Sequence, residues 1–431
     1  MTMTVQAAAA EDSAPILVRG QGYAAAKRFW RGTQRSVAPA ETLRRIQPLF
    51  AGIGLTRLAD ITGLDRIGMP VVLSVRPNAG YLALDAGKGF TLEAATVSAA
   101  MECLERHHAE TAAVAELLLP YDELARQYRT VPVEQLPLTK HSLFGPKRPE
   151  RWALGWDVIQ QAEVAIPAEM VPMTRFKYGR ADLVSFQTGS NGLASGNHVL
   201  EALESGLLEV LERDAVSCHT VVMNRDGRMP PRVRLETITS PLVRELLDRF
   251  QAAGVAPLLF DCMVDTDVPV FMAYLYDLRL RNIGTFRGYG AHLDPEIAMV
   301  RALTEAAQGR LVYIAGSRDD MFKRAFMRLK QYDYAGTVAQ LEAIPAKVDM
   351  SGVLSQATTT FEGDVGRLLE KMRMVGLENA VVFDLSRPEE GVAVVRVVVP
   401  GLEGYLFDYY TPGPRARAYM ESVQVMERTQ A

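Results

Sequence analysis

The sequence predicts an α+β fold with antiparallel sheets flanked by helices, because it contains a repeated unit of one helix followed by two strands. One copy occupies residues 243–271 and the other residues 365–395. In each copy the same interval separates a valine from the glycine that ends the helical pattern, Val243 from Gly254 and Val365 from Gly376. Two strands that directly follow a helix are typical of antiparallel sheet with helices on one face. The alternative is chance similarity between two amphipathic segments.

Hydrophobic periodicity predicts the remaining elements. A buried strand is expected at 68–75, and a glycine-rich turn at 85–89 leads into a long helix. Helical patterns cover 91–119, 199–216, 241–253, 294–314 and 363–375. Strand-like runs cover 153–159, 256–262, 268–277, 380–385 and 392–399, after a polar loop at 146–151.

Four segments are expected along the chain. These are a flexible N-terminal arm at 1–22, an N-terminal segment at 23–67, a main domain at 68–404 and a C-terminal tail at 405–431.

The composition excludes several classes of protein. The 431 residues are 48% apolar and 23% charged, which is ordinary for a globular chain. A formal net charge of −4 provides no basic field for a nucleic-acid partner. The chain contains no run of about 18 apolar residues, so no membrane span is predicted. Three cysteines are too few for a disulfide framework or a zinc site. We interpret them as small core residues of a cytoplasmic protein.

A second repeat carries acidic residues at helical spacing. Its three copies are Ser98-x-x-x-Glu102-x-x-Glu105-Arg106, Ser205-x-x-x-Glu209-x-x-Glu212-Arg213 and Arg301-x-x-x-Glu305-x-x-Gln308. Positions i, i+4 and i+7 share one face of a helix, so each copy predicts a polar stripe on a largely apolar helix. A single such motif is usually a solvated helix face. The duplication, with a third helix in the same frame, favours one shared site.

Several carboxylates in one buried site repel each other, and this repulsion raises their pKa values. A hard divalent cation removes the conflict, and oxygen-only ligands favour Mg²⁺ over zinc. Magnesium held by a few carboxylates usually completes its coordination with water and substrate phosphates. Neither the P-loop motif nor the dinucleotide-binding glycine motif is present, although the glycines of segment 190–197 could form tight turns that face an anion at a helix start. Asn197 is a candidate cap of that helix.

These motifs, in this order, resemble the YcaO family. The specific parts are S-x-x-x-E-x-x-E-R at 98–106, N-G-x-A-x-G-N at 191–197 with E-x-x-E-R-D at 209–214, and G-x-G-A-H-L-D-P-E with R-A-x-x-E-A-A-Q at 288–308. The resemblance extends from about residue 27 to about residue 404. It implies a YcaO-like fold with a nucleotide site between its parts, and an enzyme that uses ATP and Mg²⁺ to phosphorylate a peptide amide oxygen before a nucleophile attacks the carbon.

The resemblance also implies roles for individual residues. The magnesium ligands would be Glu102, Glu105, Glu209, Glu212 and Glu305. The nucleotide contacts would be Ser98, Asn197, Glu201, Arg213 and Arg301. Lys27 and Arg31 would close over the nucleotide from the N-terminal segment. Glu102, Glu209, Arg213 and Arg301 would contribute most directly to the phosphoryl transfer.

Members of the family differ in the nucleophile that attacks the activated carbon. A neighbouring side chain gives an azoline, external sulfide gives a thioamide and an amine gives an amidine. Azoline-forming members commonly end in P-x-P-x-P, whereas this chain has Pro412-Gly413-Pro414 and continues to Ala431. Its ending is more similar to that of YcaO proteins paired with a TfuA-like partner, which favours thioamide formation on a peptide or protein substrate.

Other readings of the chain stay open. The resemblance suggests a homodimer, and the lack of a recognisable leader-peptide-binding module suggests delivery of the substrate by a separate protein such as a TfuA-like partner. The alternatives are an azoline-forming cyclodehydratase, a ligase that activates a carboxylate, and a non-catalytic scaffold that binds a partner protein.

Overall fold

The structure of the protein is a computed structural model. It describes residues 14–173, 185–280, 283–318, 333–404 and 411–430, the last five by backbone alone. Within these residues the strands form three sheets and one separate hairpin. The hairpin pairs β1 (Ile16–Val18) with β2 (Gln21–Tyr23). The smallest sheet contains β3 (Arg57–Asp60), β4 (Val71–Val75) and β5 (Leu84–Lys88), in that order.

Two larger sheets form the body of the molecule. The six-stranded sheet contains, in spatial order, β6 (Glu116–Pro120), β7 (Pro149–Asp157), β15 (Val381–Asp384), β16 (Ala393–Val398) and β9 (Leu193–Gly196), with β8 (Ala162–Pro167) paired to β7. The five-stranded sheet contains β13 (Thr285–Ala291), β12 (Val270–Asp277), β11 (Val255–Asp261), β10 (Arg232–Val233) and β14 (Ala346–Val348). The pairing is antiparallel except between β10 and β14. The predicted α+β class with antiparallel sheets is therefore confirmed.

The helices cover the faces of these sheets. They are α1 (Pro39–Ile46), α2 (Leu92–Thr111), α3 (Tyr121–Gln127), α4 (Val199–Asp226), α5 (Pro241–Ala252), α6 (Pro295–Ala315), α7 (Tyr334–Glu342), α8 (Phe361–Met374) and α9 (Pro414–Gln430). Among the described helices, none is long and apolar enough to cross a membrane.

Helix α4 is central because it packs against both large sheets. Its N-terminal half, with Leu203 and Leu207, joins α8 on the face of the six-stranded sheet that carries Val395 and Val397. Its C-terminal half, with Cys218, packs on the five-stranded sheet. The opposite face of that sheet is covered by α5 and α6. A helix buried on two sides has no single apolar stripe, and Glu201, Glu204, Glu212 and Asp214 of α4 are buried.

Glycines allow two of the acidic helices to lie directly on the strand before them. A Cβ at Gly87 of β5 would lie 2.0 Å from the Ala99 nitrogen of α2. A Cβ at Gly290 of β13 would lie 2.6 Å from the Ala302 nitrogen of α6. The sequence separation between glycine and alanine is the same in both pairs. Only glycine permits such a close approach of helix and strand backbones. The glycines that precede the repeated acidic motifs therefore fix where each helix lies on its sheet.

The repeated helix–strand–strand unit is present in both copies. In the first copy α5 leads into the antiparallel pair β11 and β12, and in the second α8 leads into β15 and β16. Gly254 and Gly376, which end the two helical patterns, both have positive φ, of 65° and 81°. This backbone conformation favours glycine at the end of a helix, so the equal spacing in the sequence reflects equal local structure.

Several sequence predictions are corrected by the structure. The helix expected over 91–119 ends at Thr111, because the run of leucines at 117–119 belongs to β6, which pairs with β7. The strand β7 begins at Pro149, inside the expected polar loop. Part of the expected N-terminal arm, residues 16–22, belongs to the hairpin formed by β1 and β2, which packs on the core around α8 through Ile16 and Val18. Residues 1–13 lie outside the described residues.

Candidate nucleotide and metal site

Three helices bring their glutamates to one place. Glu102 and Glu105 lie on α2, Glu209 and Glu212 on α4, and Glu305 on α6. Electrostatic interactions connect them in sequence across the helices: Glu105 with Glu102 and Glu209, Glu209 with Glu212, and Glu212 with Glu305. The five glutamates predicted as metal ligands therefore form one cluster, which we call the carboxylate cluster.

The carboxylate cluster is buried at its centre and open at its edges. The side chain of Glu212 is 3% exposed, whereas those of Glu102 and Glu305 are 38% and 30% exposed. Glu212 also accepts a hydrogen bond of 3.0 Å from the backbone nitrogen of Ala291, at the end of β13. This bond joins α4 to the strand that precedes α6. A ligand can therefore reach the cluster from the side of Glu102 and Glu305.

Burial and mutual repulsion raise the pKa values of three carboxyls of the cluster. Desolvation, with the charges of Glu102 and Glu209, raises the pKa of Glu105 well above its usual value. Desolvation also raises the pKa of Glu209 to about 7, against the opposing effect of Arg213. The pKa of Glu305 is raised for the same main reason. A bound cation would remove this conflict, because it favours the ionised form of each carboxyl.

Arginine and lysine side chains surround the carboxylate cluster. The Arg301 guanidinium lies 3.9 Å from Glu212, and the Lys88 ammonium lies 3.9 Å from Glu305. Burial would lower the pKa of Arg213, but the charges of Glu212, Glu209 and Glu305 outweigh it and raise the pKa. Arg213 therefore remains cationic beside the carboxylates, as a phosphate-binding site requires.

The two E-x-x-E-R motifs have diverged in the use of their arginine. Arg106 donates a hydrogen bond of 2.8 Å to Glu102 and lies 2.9 Å from the buried Asp85 of β5. It is therefore tied to its own helix and to the strand beneath. Arg213 instead faces carboxylates of two helices. Identical sequence motifs thus give one arginine that pairs with a glutamate of its own helix and one that faces the carboxylates of two helices.

The predicted nucleotide contacts form a second polar group near the start of α4. Asn197 donates a hydrogen bond of 3.3 Å to Glu201 and accepts one of 3.0 Å from Thr42. Glu201 accepts hydrogen bonds from the nitrogen and hydroxyl of Ser36, at 3.0 and 2.6 Å. The N-terminal segment therefore packs against this end of α4. Ser98 lies half-buried on α2, one turn before Glu102.

Two details of this region differ from the sequence prediction. The cap of α4 is His198, whose side chain accepts from the Leu200 nitrogen, and not Asn197. Gly196 does not form a turn at the helix start, because it belongs to β9 and its Cβ position would lie 2.8 Å from the Ala202 nitrogen. Gly192 has a φ of 76° and does form a turn. The N-cap role of Asn197 is therefore wrong, and its side chain instead contacts Glu201 and Thr42.

Lys27 and Arg31 occupy different environments. The Lys27 side chain is fully buried and its ammonium donates to Asp364, Gln34 and Glu204. Arg31 is exposed. The structure thus gives Lys27 a role in fastening the N-terminal segment to α4 and α8. A direct contact between either side chain and a nucleotide stays a prediction.

Sequence reasoning missed two cations of the site. Arg396 of β16 is 1% exposed and interacts electrostatically with Glu209 and Glu105. Lys88 of β5 contacts Gln308 at 3.1 Å as well as Glu305. An arginine within the apolar run at 392–399 was a visible signal for the first, because an unpaired charge is rarely placed in a buried strand. Lys88 had no comparable signal.

The residues present fit magnesium and a nucleotide. Carboxylate oxygens are the ligand atoms that magnesium prefers. The raised pKa values of Glu105, Glu209 and Glu305 reflect the cost of ionising several neighbouring carboxyls without a bound cation. Among the described residues, Arg301 Nε is buried without a hydrogen-bond partner. A donor of this kind beside the carboxylates suits an anionic ligand such as phosphate.

Comparisons with known proteins agree with this chemistry. The family model described as YcaO cyclodehydratase, ATP- and Mg²⁺-binding, matches residues 86–403. An uncharacterized protein of Methanothermobacter thermautotrophicus is 36% identical over 396 residues, which cover 89% of this chain and 99% of that protein. An uncharacterized protein in the tfuA 3′ region of Rhizobium leguminosarum bv. trifolii is 33% identical over 380 residues, which cover 86% and 88%.

A solved structure has the same fold and a bound nucleotide. YcaO from Methanopyrus kandleri, bound with AMPPCP and Mg²⁺, has a TM-score of 0.70 and 25% identity to this chain. The match covers 90% of this chain and 99% of that chain. The family model covers most of the chain and includes all three helices of the carboxylate cluster. The chain therefore belongs to the YcaO family of ATP- and magnesium-dependent enzymes.

Proposed function

We propose that the protein uses ATP to phosphorylate a backbone amide oxygen of a peptide or protein, and that sulfide then replaces this oxygen to give a thioamide. The observation that supports amide activation is the carboxylate cluster beside Arg213 and Arg301. The relative in the tfuA 3′ region supports thioamide formation as the outcome.

The residues suggest a division of work in phosphoryl transfer. Glu102, Glu105, Glu209, Glu212 and Glu305 would hold magnesium. When bound, magnesium neutralises charge on the phosphate oxygens and aligns them for transfer. Arg213 and Arg301 would orient the terminal phosphate and stabilise the charge that develops on it. Asn197 and Glu201 would contact the nucleotide at the start of α4.

The proposed reaction balances in two steps. The amide oxygen attacks the terminal phosphorus of ATP, and ADP leaves. Hydrosulfide then adds to the amide carbon, and phosphate leaves with the former amide oxygen as the carbon–sulfur double bond forms and a proton is released. Phosphorylation is needed because an unmodified amide oxygen is a poor leaving group. Positioning of the amide beside the terminal phosphate would supply much of the acceleration.

Azoline formation is the second candidate, because the matching family model is described as a cyclodehydratase. In this reaction a Cys, Ser or Thr side chain of the substrate attacks the activated carbon and water is lost overall. The same carboxylate cluster would serve both reactions, so the difference lies in which nucleophile reaches the carbon.

Mass spectrometry of a modified peptide separates the candidates. The protein would be incubated with ATP, Mg²⁺, sulfide and candidate peptides, with and without a TfuA-like protein. Exchange of one oxygen for sulfur supports the proposal, whereas loss of water identifies an azoline. Joining of a second fragment identifies a ligase. Absence of ATP turnover under every condition would favour a non-catalytic scaffold and contradict the proposed enzyme.

The proposed assembly has its own test. We propose that the protein acts as a homodimer with a TfuA-like partner in the cytoplasm, where its three buried, free cysteines would stay reduced. Light scattering of the protein alone and mixed with the partner would measure both associations. A monomer that binds no partner and still modifies peptide would contradict this arrangement.

A further inference from the structure

Asp85 is a buried carboxylate beneath α2 that belongs to none of the three acidic motifs. It lies on β5, two residues before Gly87, and its side chain is 1% exposed. Alternate residues of a strand point to the same face, so Asp85 faces α2, as Gly87 does. Burial of a carboxylate is costly unless an opposite charge compensates it. A cation near Asp85 therefore has to supply that compensation.

Arg106 of α2 supplies this charge and also contacts the carboxylate cluster. Its Nε lies 2.9 Å from Oδ1 of Asp85, and its Nη2 donates a hydrogen bond of 2.8 Å to Oε1 of Glu102. Burial would lower the pKa of Arg106, but the charges of Glu102 and Asp85 outweigh it and raise the pKa. One cationic guanidinium is therefore shared between a buried aspartate and a glutamate of the proposed metal site.

The other groups around Asp85 do not replace Arg106. Arg76 also attracts Asp85, but its Nη1 donates a hydrogen bond of 2.6 Å to Glu110. The charges of Glu102 and Glu110 repel Asp85. Among the described residues, no group donates a hydrogen bond to either oxygen of Asp85. The ion pair with Arg106 is therefore the main compensation for the charge of Asp85.

The two partners of Arg106 differ in their exposure to solvent. The side chain of Glu102 is 38% exposed at the open edge of the cluster, whereas that of Asp85 is buried. A buried charge is screened less by water and salt than an exposed one. A metal ion that binds Glu102 has to compete with Arg106 for the same carboxylate. The charge of Asp85 weakens that competition, because it compensates Arg106 from the opposite side.

We infer that Asp85 neutralises Arg106 and thereby leaves the carboxylate of Glu102 available to magnesium. Asp85 is a positioning residue, since it acts on Glu102 through Arg106. The inference rests on the proposed binding of magnesium by Glu102. It extends that proposal to a strand residue outside the acidic motifs, which would set how strongly the open edge of the carboxylate cluster holds its metal ion.

The experiment is titration calorimetry with the complex of Mg²⁺ and AMPPCP, and with AMPPCP alone. At pH 8 Asp85 is mostly ionised, because burial raises its pKa to about 7. Asp85→Asn leaves Arg106 uncompensated, so it should weaken binding of the magnesium complex about tenfold. AMPPCP alone should bind to this variant at least as tightly as to the unmodified protein, because the added positive charge attracts phosphate.

A second substitution separates this role from a purely structural one. Asp85→Asn combined with Arg106→Met removes the uncompensated charge, so affinity for the magnesium complex should return to within about threefold of the unmodified protein. Loss of packing would instead make the double variant weaker than Asp85→Asn. Asp65→Asn is the control, since Asp65 is equally close to an arginine on an acidic helix, at 2.8 Å from Nε of Arg310, and its side chain is 5% exposed. It should leave the affinity unchanged.

The outcomes that contradict the inference are distinct from failure of the proposed site. Undiminished affinity of Asp85→Asn for the magnesium complex, or a double variant as weak as Asp85→Asn, overturns the inference. If Asp85→Asn does not fold, Arg106→Met alone should bind the magnesium complex at least as tightly as the unmodified protein, and weaker binding overturns the inference. Failure of the unmodified protein to bind Mg²⁺ with AMPPCP contradicts the proposed site, and the inference with it.

Discussion

The Arg301 guanidinium of α6 lies 3.9 Å from the Glu212 carboxylate of α4. Arg301 is the first residue of the third acidic motif, and Glu212 is the last glutamate of the second. The corresponding position of the first two motifs is a serine. The contact joins two helices that pack on different parts of the molecule. Together with the electrostatic interaction of Glu105 with Glu209, it places the glutamates of all three motifs in one cluster.

Glu209→Gln and Glu102→Gln should each reduce ATP-dependent peptide modification by about a hundredfold or more, because each removes one charged oxygen ligand from the proposed magnesium site. The fold should be retained. The measurement is the rate of product formation by mass spectrometry, with circular dichroism to check folding.

Glu245→Gln is a closely matched control for Glu102→Gln. Both glutamates have side chains that are 38% exposed, and both pair at 2.8 Å with an arginine four residues later on the same helix. Glu245 lies on α5, away from the carboxylate cluster. Equal activity losses at 102 and 245 would remove Glu102 from the site.

Glu204 gives a prediction for the pH dependence of stability. Burial, with the nearby charge of Asp364, raises its pKa from 4.5 to about 8, although Lys27 opposes the shift. The protonated form is therefore favoured in the folded state. Its stabilising contribution is fully present below about pH 4.5 and is lost as the pH rises through about 8.

Glu204→Gln should therefore unfold at a higher Tm than the unmodified protein at pH 9, by about 3 °C or more, because glutamine imitates the protonated acid. At pH 5 the two Tm values should be similar. Thermal melts across this pH range test the effect, with exposed Glu163→Gln as the control. A lower Tm for Glu204→Gln at pH 9 would mean that the ionised carboxylate is needed beside Lys27.

Gly87→Ala should destabilise the protein by about 3 kcal/mol or more, because the added Cβ would lie 2.0 Å from the Ala99 nitrogen and 2.3 Å from the Ala95 oxygen. Gly366→Ala is the control, since this glycine lies within α8 and its Cβ position meets no atom within 4 Å. That substitution should stabilise by about 0.5–1 kcal/mol. Denaturant unfolding measures both, and a neutral Gly87→Ala would argue against the close helix–strand contact.

Arg415→Ala should release the start of α9 from α4. Its Nε donates to Asp214 at 2.8 Å and its Nη2 pairs with Asp265. Asp214 is fully buried and would be left without this partner, which costs about 3–5 kcal/mol for a buried pair. Hydrogen exchange should speed up in α9 and in the last turns of α4.

Arg417→Ala is the control for the release of α9, because Arg417 is exposed and donates to the Pro412 oxygen. It should change exchange in α9 little. If Arg415→Ala leaves the protection of α9 unchanged, the helix is held mainly by its apolar contacts around Ala416.

The sequence predicted the long elements and the proximity of the five glutamates well. The helices α5, α6 and α8 begin and end within about two residues of their expected positions, because their apolar periodicity and caps are local signals. The five glutamates were found because spacing on a helix determines which side chains share a face. The end of α2 was misplaced because leucines suit helix and strand alike, and pairing with β7 decides between them.

Other features depend on residues that are distant in the sequence. The hairpin at 16–23 gains its stability from packing near α8, more than 300 residues later. Asn197 has the chemistry of a cap, but the neighbouring His198 takes that position. Arg396 interacts electrostatically with Glu105 and Glu209, which lie far from it in the sequence. Such relationships follow from tertiary structure and have no local pattern.

The glycine contacts beneath α2 and α6 have a consequence for how this enzyme could change its reaction. Where helix backbone contacts strand backbone, no side chain lies between them that could adjust. The glutamates of the carboxylate cluster therefore cannot shift to suit a new substrate without loss of the fold. Variation among related enzymes is then expected where the frame is not so constrained, in the segments that link strands and in the polypeptide on either side of the domain. Attempts to redirect the chemistry toward another nucleophile should begin in those segments and leave the acidic helices unchanged.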